Sequence, residues 1–202
     1  MHINAIIFDL GGVLIDWNPS YLFDKLFDNE EQKKHFFENI CTLDWNEQQD
    51  AGRPIKEATE ILVARHPEWK EYIEAYYGRW TEMLGGPIHD TVEIFRELKA
   101  TGKYKLYALT NWSGELFPVA LELYEFLHWF DGRVVSGDEK MRKPFPEFYR
   151  LTLDRFNLTA GNTLFIDDNL RNIKAAEALG IQCIRFENPE QLKKDLISRH
   201  IL

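Results

Sequence analysis

Asp9 is the first residue of the sequence whose type and position suggest chemistry. It ends an apolar run, residues 3–8, and is followed within three residues by Gly11 and Gly12. Such a run predicts a strand covered on both faces, and ligands of open α/β sheets collect at the carboxyl ends of such strands. A carboxylate placed there can act as a nucleophile or a metal ligand. Taken alone, Asp9 could equally cap the turn before the two glycines.

A second apolar run, residues 105–109, leads into Thr110 and Asn111. Further along the chain, Lys143 lies in a loop that two nearby prolines stiffen, which limits where its amine can reach. A threonine hydroxyl and a lysine amine can both stabilise negative charge that develops on a reacting oxygen. Each is also compatible with a structural role, Thr110 in a turn and Lys143 on the surface.

A third apolar run, residues 163–166, ends in the adjacent carboxylates Asp167 and Asp168. Carboxylates placed side by side raise each other's pKa unless a cation compensates them. If parallel strands bring Asp9 to the same edge of a sheet, the three carboxylates predict a site for a hard cation such as Mg²⁺. The alternative is an N-cap cluster for the following helix, and the two roles are compatible.

The order of these groups resembles the motifs of the haloacid dehalogenase superfamily. Asp9 matches the first motif, Thr110 the second, Lys143 the third, and the pair Asp167 and Asp168 the fourth. The resemblance covers nearly the whole chain. It implies an α/β fold, with a Rossmann-like parallel sheet that carries helices on both faces, plus a small all-α cap domain. It also implies a hydrolase in which Asp9 forms an aspartyl-phosphate with the help of Mg²⁺.

The resemblance implies two sets of site residues. The metal set consists of Asp9, the backbone carbonyl of Gly11, Asp168 and, through water or by orienting the other ligands, Asp167. The catalytic set consists of Asp9, Thr110, Asn111 and Lys143. In this scheme Lys143 holds the nucleophile and the phosphoryl group as a point charge, and Asn111 orients Asp9 or the loop.

Gly11 departs from the family pattern. Most phosphatases of this group carry a second Asp there, which serves as general acid and then as general base, a contribution of about 10²–10⁴-fold. Without it the leaving group must carry its own charge, which predicts a preference for acidic leaving groups such as an anomeric sugar oxygen. The Asp-Leu-Gly start, the Arg-Lys-Pro third motif and the Asp-Asp-Asn fourth are similar to sugar-phosphate phosphatases of the family, for which glucose-1-phosphate is the implied substrate.

Two other functions stay open at this point. One is a haloacid dehalogenase, in which Asp9 attacks carbon, usually without a metal. The other is a weakly active binding or regulatory protein, because the second Asp is missing. The adjacent carboxylates 167 and 168, and a glycine where the dehalogenases carry an aromatic residue, favour the phosphatase.

The helix and strand pattern predicts a core domain, residues 1–16 and 87–202, and a helical cap domain, residues 17–86. Between residues 18 and 85 the apolar spacing is helical, with four or five short helices and no convincing strand. The aromatic residues expected to pack inside the cap are Trp69, Tyr72, Tyr76 and Trp80. Candidates for substrate contacts from the cap are Trp17, Gln48, Gln49 and Arg53, and the alternative for these is an exposed position.

From residue 87 onward helices and strands alternate, which predicts right-handed crossovers and a parallel sheet. The predicted strands are 105–109, 133–135, 163–166 and 181–185. The predicted helices are 91–100, 115–127, 147–156 and 169–179. Gly180 is expected to end the last of these helices.

The net charge of −9 and a sequence pI near 5.2 argue against a nucleic-acid partner, because backbone binding needs a basic patch. There is no apolar run near the roughly 18 residues that a membrane span needs, and no signal segment, which predicts a cytoplasmic protein. Cys41 and Cys183 lack metal-ligand spacing and are expected to be reduced thiols. The expected partner is a small phosphorylated molecule, without nucleic acid or membrane, bound by a monomer or homodimer.

Overall fold

The computed structural model describes residues 2–202, whose strands form two sheets. In chain order the strands are β1 (Ala5–Phe8), β2 (Ile15–Trp17), β3 (Leu84–Pro87), β4 (Lys105–Thr110), β5 (Gly132–Val135), β6 (Thr163–Asp167) and β7 (Gln182–Arg185). Five of them form a parallel sheet in the order β5-β4-β1-β6-β7. All four residues of β1 are buried, as expected for the central strand of a sheet covered on both faces. The predicted α/β class is confirmed.

Eleven α-helices surround the strands in residues 2–202. Six of them come before β4 in the chain: α1 (Ser20–Phe23), α2 (Glu30–His35), α3 (Leu43–Asp50), α4 (Ile55–Arg65), α5 (Lys70–Gly78) and α6 (His89–Thr101). The remaining ones are α7 (Phe117–Leu123), α8 (Ser136–Glu139), α9 (Pro146–Arg155), α10 (Leu170–Glu177) and α11 (Pro189–Ser198). We call residues 18–83, which contain α1 to α5, the cap segment.

The cap segment is joined to the rest of the chain by a two-stranded antiparallel ribbon of β2 and β3. The expectation of no strand up to residue 85 is therefore wrong at its end, because β3 begins at Leu84. The sequence did not predict β3 because Gly85 and Gly86 are two of its four residues, and glycine is uncommon in strands. A Cβ atom on Gly85 would press on the Asp16 carboxylate and the Tyr21 ring, so a larger residue there would require these side chains to shift.

Two further differences from the predicted elements have local causes. The helix expected over 115–127 is broken at Tyr124, whose backbone is extended (φ −125°, ψ 97°), and continues as a 3₁₀ turn. Helix α11 was not predicted, although Asn188 caps it by accepting a hydrogen bond from the Gln191 N–H at 2.9 Å. Gly180 (φ 80°) follows α10 in the left-handed conformation, as expected.

One hydrophobic cluster runs from the sheet into the cap segment. It joins Phe8 of β1 to Phe23, Tyr76 and Trp80, all of them buried. Trp69 and Tyr72, which are partly buried, pack against the same cluster, so the predicted packing role of the cap aromatics is confirmed. The cap segment therefore lies firmly against the carboxyl edge of the parallel sheet. None of the helices described in residues 2–202 is long and apolar enough to span a membrane.

Candidate active site

Three neighbouring strands place the predicted site residues at one edge of the sheet. Asp9 directly follows β1, Thr110 is the last residue of β4, and Asp167 is the last residue of β6, with Asp168 next to it. Because β1 lies between β4 and β6, these groups meet at the carboxyl edge of the sheet. One oxygen from each of the three carboxylates lies within 4.8 Å of the others.

Lys143 lies between two of these carboxylates and forms an ion pair with each. Its side chain is fully buried, and Nζ lies 2.8 Å from Asp9 Oδ1 and 2.7 Å from Asp167 Oδ2. Burial alone would lower the pKa of Lys143, but Asp167 and Asp9 raise it above its usual value, so the amine is charged. A surface position for this lysine is thus ruled out by the structure.

Asp167 is an internal carboxylate with a full set of hydrogen bonds. Besides Lys143, it accepts from Asn172 Nδ2 at 3.0 and 3.1 Å and from the Asn169 N–H at 2.8 Å. Both of its oxygens are therefore engaged by donors within the fold. This arrangement suits a residue that holds Lys143 in place better than one that binds a metal directly.

Asp9 uses one of its two oxygens for contacts within the fold. Oδ1 accepts from the Leu10 N–H at 2.7 Å and faces Lys143, so Oδ2 is not engaged by either group. Burial, opposed by Lys143 and assisted by Asp167 and Asp168, raises the pKa of Asp9 to about 8. An additional cation would offset the crowding of three carboxylates around a single amine.

The donor set fits a hard divalent cation. Asp168 stands at the exposed side of the cluster, close to the glycine loop that follows Asp9. A Cβ atom on Gly12, whose φ is +75°, would lie 2.8 Å from Asp168 Oδ2. Gly12 is thus a residue that the sequence patterns did not single out and that leaves room for this carboxylate. Carboxylate oxygens and a backbone carbonyl such as that of Gly11 are the ligands such a cation prefers.

Asn111 and Thr110 lie beside the cluster with different surroundings. Asn111 holds the backbone of Lys143 from both sides, since Nδ2 donates to the Lys143 carbonyl at 3.0 Å and Oδ1 accepts from the Lys143 N–H at 2.9 Å. Thr110 Oγ1 is buried and has no hydrogen-bond partner among residues 2–202. Of the two roles expected for Asn111, the structure shows the one toward the loop. The Thr110 hydroxyl lies at the end of β4, the strand next to β1.

A cavity of 160 Å³ opens above Asp9 and Gly11, between the sheet edge and the cap segment. Its lining residues are Asp9, Gly11, Asn111, Trp112, Ser113 and Leu116 from the sheet side, and Trp17, Asn46, Asp50, Tyr77 and Trp80 from the cap side. Trp80 packs edge-on against Trp112 at 5.5 Å, and Trp112 Nε1 has no hydrogen-bond partner within residues 2–202. The walls therefore combine flat apolar faces with a few polar groups.

Of the expected cap contacts, only Trp17 lines this cavity. Gln49 is buried and instead donates to the Trp45 carbonyl at 2.6 Å and to the Tyr77 hydroxyl at 3.1 Å. Arg53 donates to Gln49 and to Gln48, each at 2.7 Å, so the three polar residues of this turn bind one another. Gln48, Gln49 and Arg53 therefore do not line this cavity. Gln48 is exposed, which was the alternative for these residues.

The structure adds Glu47 and Arg171, which the sequence patterns did not indicate, and gives Arg142 of the Arg-Lys-Pro motif an ionic partner. Glu47 Oε2 lies 2.8 Å from Arg142 Nη1, and Glu47 Oε1 pairs with Arg171. Arg142 precedes Lys143 and Arg171 belongs to the first turn of α10, so this ion cluster ties the cap segment to two loops of the site.

A sequence model described as haloacid dehalogenase-like hydrolase matches residues 3–180. A sesquiterpene phosphatase, astK, of Aspergillus oryzae is 31% identical over 177 residues, which cover 88% of this chain and 86% of that protein. A phosphorylated carbohydrates phosphatase of Thermotoga maritima is 26% identical over 183 residues, which cover 89% and 83%.

Among solved structures, a HAD family enzyme from Bacteroides thetaiotaomicron in complex with magnesium and inorganic phosphate is similar, with a TM-score of 0.70 and 26% identity. The match covers 92% of this chain and 95% of that one. Three of the four motifs thus lie at adjoining strand ends and the third motif, Lys143, reaches them from a loop. The family model spans most of the sequence. The chain belongs to the haloacid dehalogenase-like hydrolases.

Proposed function

We propose that this hydrolase is a Mg²⁺-dependent phosphatase that acts on a small phosphorylated metabolite through an aspartyl-phosphate on Asp9. The observation that carries the proposal is the convergence of Asp9, Asp167 and Asp168 around the buried amine of Lys143. It is supported by the two relatives named phosphatases and by the magnesium and phosphate bound to the similar Bacteroides enzyme.

In the proposed reaction Asp9 attacks phosphorus with one carboxylate oxygen, and the bond to the leaving oxygen breaks. Asp9, the Gly11 carbonyl and Asp168 would hold Mg²⁺, which when bound neutralises charge on the phosphoryl oxygens. Lys143 keeps the Asp9 carboxylate oriented and adds positive charge beneath the reacting group. Asp167 acts indirectly by holding Lys143.

Two uncharged residues complete the proposed arrangement. The free hydroxyl of Thr110 is the group that would donate to a phosphoryl oxygen, together with backbone N–H groups of the adjoining loops. Asn111 is a positioning residue, because it clamps the loop that carries Lys143. Residues 17–86 form the proposed cap domain, whose role is to exclude water from this site and to shape the substrate pocket.

The cavity favours a small substrate. Its 160 Å³ is well below the roughly 300–1,000 Å³ of pockets that take drug-sized ligands. Flat faces of Trp17, Trp80 and Trp112 can pack against the C–H faces of a sugar ring, while Asn46 and the Tyr77 hydroxyl can bind its oxygens. We therefore favour a sugar phosphate such as glucose-1-phosphate within the proposed substrate class.

The experiment is a turnover assay with 4-nitrophenyl phosphate and a panel of phosphorylated metabolites, with Mg²⁺ and with excess chelator. We expect Asp9→Asn to abolish turnover without changing the fold, because the same carboxylate is nucleophile and ligand. Asp44→Asn, at an exposed position in the first turn of α3, is the matched control. Undiminished turnover by Asp9→Asn, or by the wild type in chelator, would contradict the mechanism.

The panel also separates the two alternatives. Release of halide from a 2-haloacid in chelator, without phosphate release from any substrate, would identify a dehalogenase. Binding of phosphorylated metabolites without turnover would identify a regulatory protein. We favour the phosphatase over both alternatives, since the cluster of three carboxylates suits phosphate and metal.

A further inference from the structure

Gly11, two residues after the nucleophile Asp9, has no side chain that can exchange protons. Gly11 lines the cavity, and no atom lies within 4 Å of the point that a Cβ atom on it would occupy, so the space beside Asp9 is open there. An alkoxide that leaves phosphorus must nevertheless gain a proton, and the water that attacks afterwards must lose one. Another side chain that reaches the cavity has to serve both steps if hydrolysis is to be fast.

Asp50 is the second carboxyl group among the residues that line the cavity. It is the last residue of α3, on the cap side, and Asn46 Nδ2 donates to its Oδ2 at 3.0 Å. Its backbone carbonyl accepts a hydrogen bond from Ser136 Oγ at 2.5 Å, a contact that crosses from the cap segment to the first residue of α8. Asp50 is therefore held in position by both sides of the cavity.

The next turn of chain strengthens this attachment. Gly52, with φ +94°, packs so closely against the sheet side that a Cβ atom would lie 2.8 Å from the Gly137 carbonyl oxygen. The Ile55 N–H donates to Glu115 Oε1 at 2.8 Å just beyond. The segment that carries Asp50 is thus docked through backbone contacts, which suits a group that must be placed within hydrogen-bond reach of a substrate.

The direction of the reaction places the leaving group near Asp50. In phosphoryl transfer the attacking and leaving oxygens lie roughly in line on opposite sides of phosphorus. Asp9 attacks from the sheet side, so the leaving oxygen points toward the cap wall, to which Asp50 belongs. The other polar groups of that wall are less suitable: Asn46 is an amide, and burial raises the pKa of Tyr77 far above neutrality.

The surroundings of Asp50 suit proton exchange near neutral pH. Burial and then Glu47, on the same helix, raise its pKa to about 7, while Arg142, a backbone hydrogen bond from Ser113 and the Asn46 amide oppose the rise. The hydroxyls of Tyr76 and Tyr77 on α5 also face it and stay neutral, because burial raises the pKa of each. A carboxyl balanced in this way can donate a proton in one step and accept one in the next.

We propose that Asp50 is the general acid and base of the reaction, supplied by the cap in place of the carboxylate missing at Gly11. This inference rests on the proposed phosphatase function. In the first step Asp9 bonds to phosphorus, the bond to the leaving oxygen breaks, and the Asp50 proton moves to that oxygen, which leaves as an alcohol. In the second step the Asp50 carboxylate takes a proton from water, the resulting hydroxide bonds to phosphorus, and Asp9 departs as a carboxylate with inorganic phosphate released.

The wild-type enzyme gives the first test, which needs no variant. We would measure kcat/KM for 4-nitrophenyl, phenyl and primary alkyl phosphates with Mg²⁺ present. With Asp50 protonating the leaving oxygen, kcat/KM should depend only weakly on the acidity of the leaving group. A steep fall from the nitrophenyl to the alkyl ester would overturn the proposal, because it would show that the leaving group departs without an acid.

The second test compares Asp50→Asn with the wild type and with Asp44→Asn as a control on the same helix. We expect kcat/KM of Asp50→Asn to fall by about 10²–10⁴-fold for the alkyl phosphate and by less than about tenfold for the nitrophenyl ester. Since the second step also loses its base, nitrophenolate should appear in a burst equal to the enzyme concentration, and the phosphoenzyme should accumulate. Urea unfolding and circular dichroism check that the variant folds.

Failure of the Asp50 proposal and failure of the proposed phosphatase function give different results. An equal fall in kcat/KM for all esters without a burst would show that Asp50 only positions the substrate or the cap, and would overturn the proposal while the phosphatase function stands. Absence of Mg²⁺-dependent turnover in the wild type on every ester and on the metabolite panel would instead refute the proposed function itself.

Discussion

Replacing Lys143 with methionine would remove the cation that two buried carboxylates share. The lysine side chain is fully buried, with Nζ 2.8 Å from Asp9 and 2.7 Å from Asp167. Methionine retains much of the apolar stem, so the main losses are the charge, its hydrogen bonds and the position of Nζ 5.6 Å from the centre of the Phe165 ring. Removing one partner of a buried ion pair typically costs about 3–5 kcal/mol. We expect the free energy of unfolding in chelator near neutral pH to fall by that amount.

The effect of Lys143→Met should also depend on pH in a defined direction. Burial raises the pKa of Asp9 to about 8 even though Lys143 lowers it, so in the variant, which lacks this amine, the pKa is higher still. A carboxyl whose folded-state pKa is raised contributes stability that is fully present below its unfolded-state pKa and is lost as the pH rises through the folded-state pKa. Above about pH 8 the variant keeps losing stability, by up to about 1.4 kcal/mol per pH unit, after the loss in the wild type levels off.

The measurement is urea unfolding in chelator from about pH 6 to about pH 9, followed by the fluorescence of the six tryptophans. The double variant Asp9→Asn with Lys143→Met is the control, since it lacks the titrating carboxyl and should not show the additional slope. A loss below about 1 kcal/mol at neutral pH, or a difference from the wild type that stays constant across this range, would refute the reasoning about the buried ion cluster.

Three further outcomes follow from the same geometry. Asp168→Ala should weaken Mg²⁺ binding in calorimetric titrations more than Asp167→Ala, because the oxygens of the latter are engaged inside the fold; a stronger effect of Asp167 would reverse the two roles. Gly12→Ala should also weaken Mg²⁺ binding, since its Cβ atom would lie 2.8 Å from an Asp168 oxygen, whereas Gly161→Ala, with nothing within 4 Å, should leave it unchanged. Glu47→Gln should lower the free energy of unfolding by about 1–3 kcal/mol, because two arginines lose their ionic partner; a change within about 0.5 kcal/mol would mark this cluster as a solvated surface pair.

Much of the sheet and the placement of its reactive groups could be predicted from local patterns. The three central strands β1, β4 and β6 are short, largely apolar runs. In a parallel sheet, polar residues at the ends of neighbouring strands must meet at one edge. For that reason Asp9, Thr110 and Asp167 were expected together, and they lie at three adjoining strand ends. The direction and order of the strands determine where these three residues lie, whatever the side-chain packing around them.

The cap side of the site could not be predicted in the same way. Asp50 and Glu47 reach the site because α3 packs in one particular orientation, and nothing in their immediate sequence differs from an ordinary polar helix end. Gln49 has the same local character and turns inward to Trp45 instead. Where several polar residues compete for one helix face, tertiary packing decides which of them faces the substrate.

The ribbon of β2 and β3 would allow the cap segment to be exchanged during evolution. Its two strands run antiparallel, with Trp17 opposite Leu84, so residues 18–83 leave and re-enter the chain at nearly the same point. The free energy of pairing the two strands depends little on the number of residues between them, because each doubling of a loop's length adds only about 0.6 kcal/mol to the cost of closing it. Exchanging residues 18–83 for a different set of helices, or for a short turn, would leave the crossover from β1 to β4 intact. The pocket could therefore be rebuilt as a replaceable module while the reactive groups of the sheet edge remain where they are.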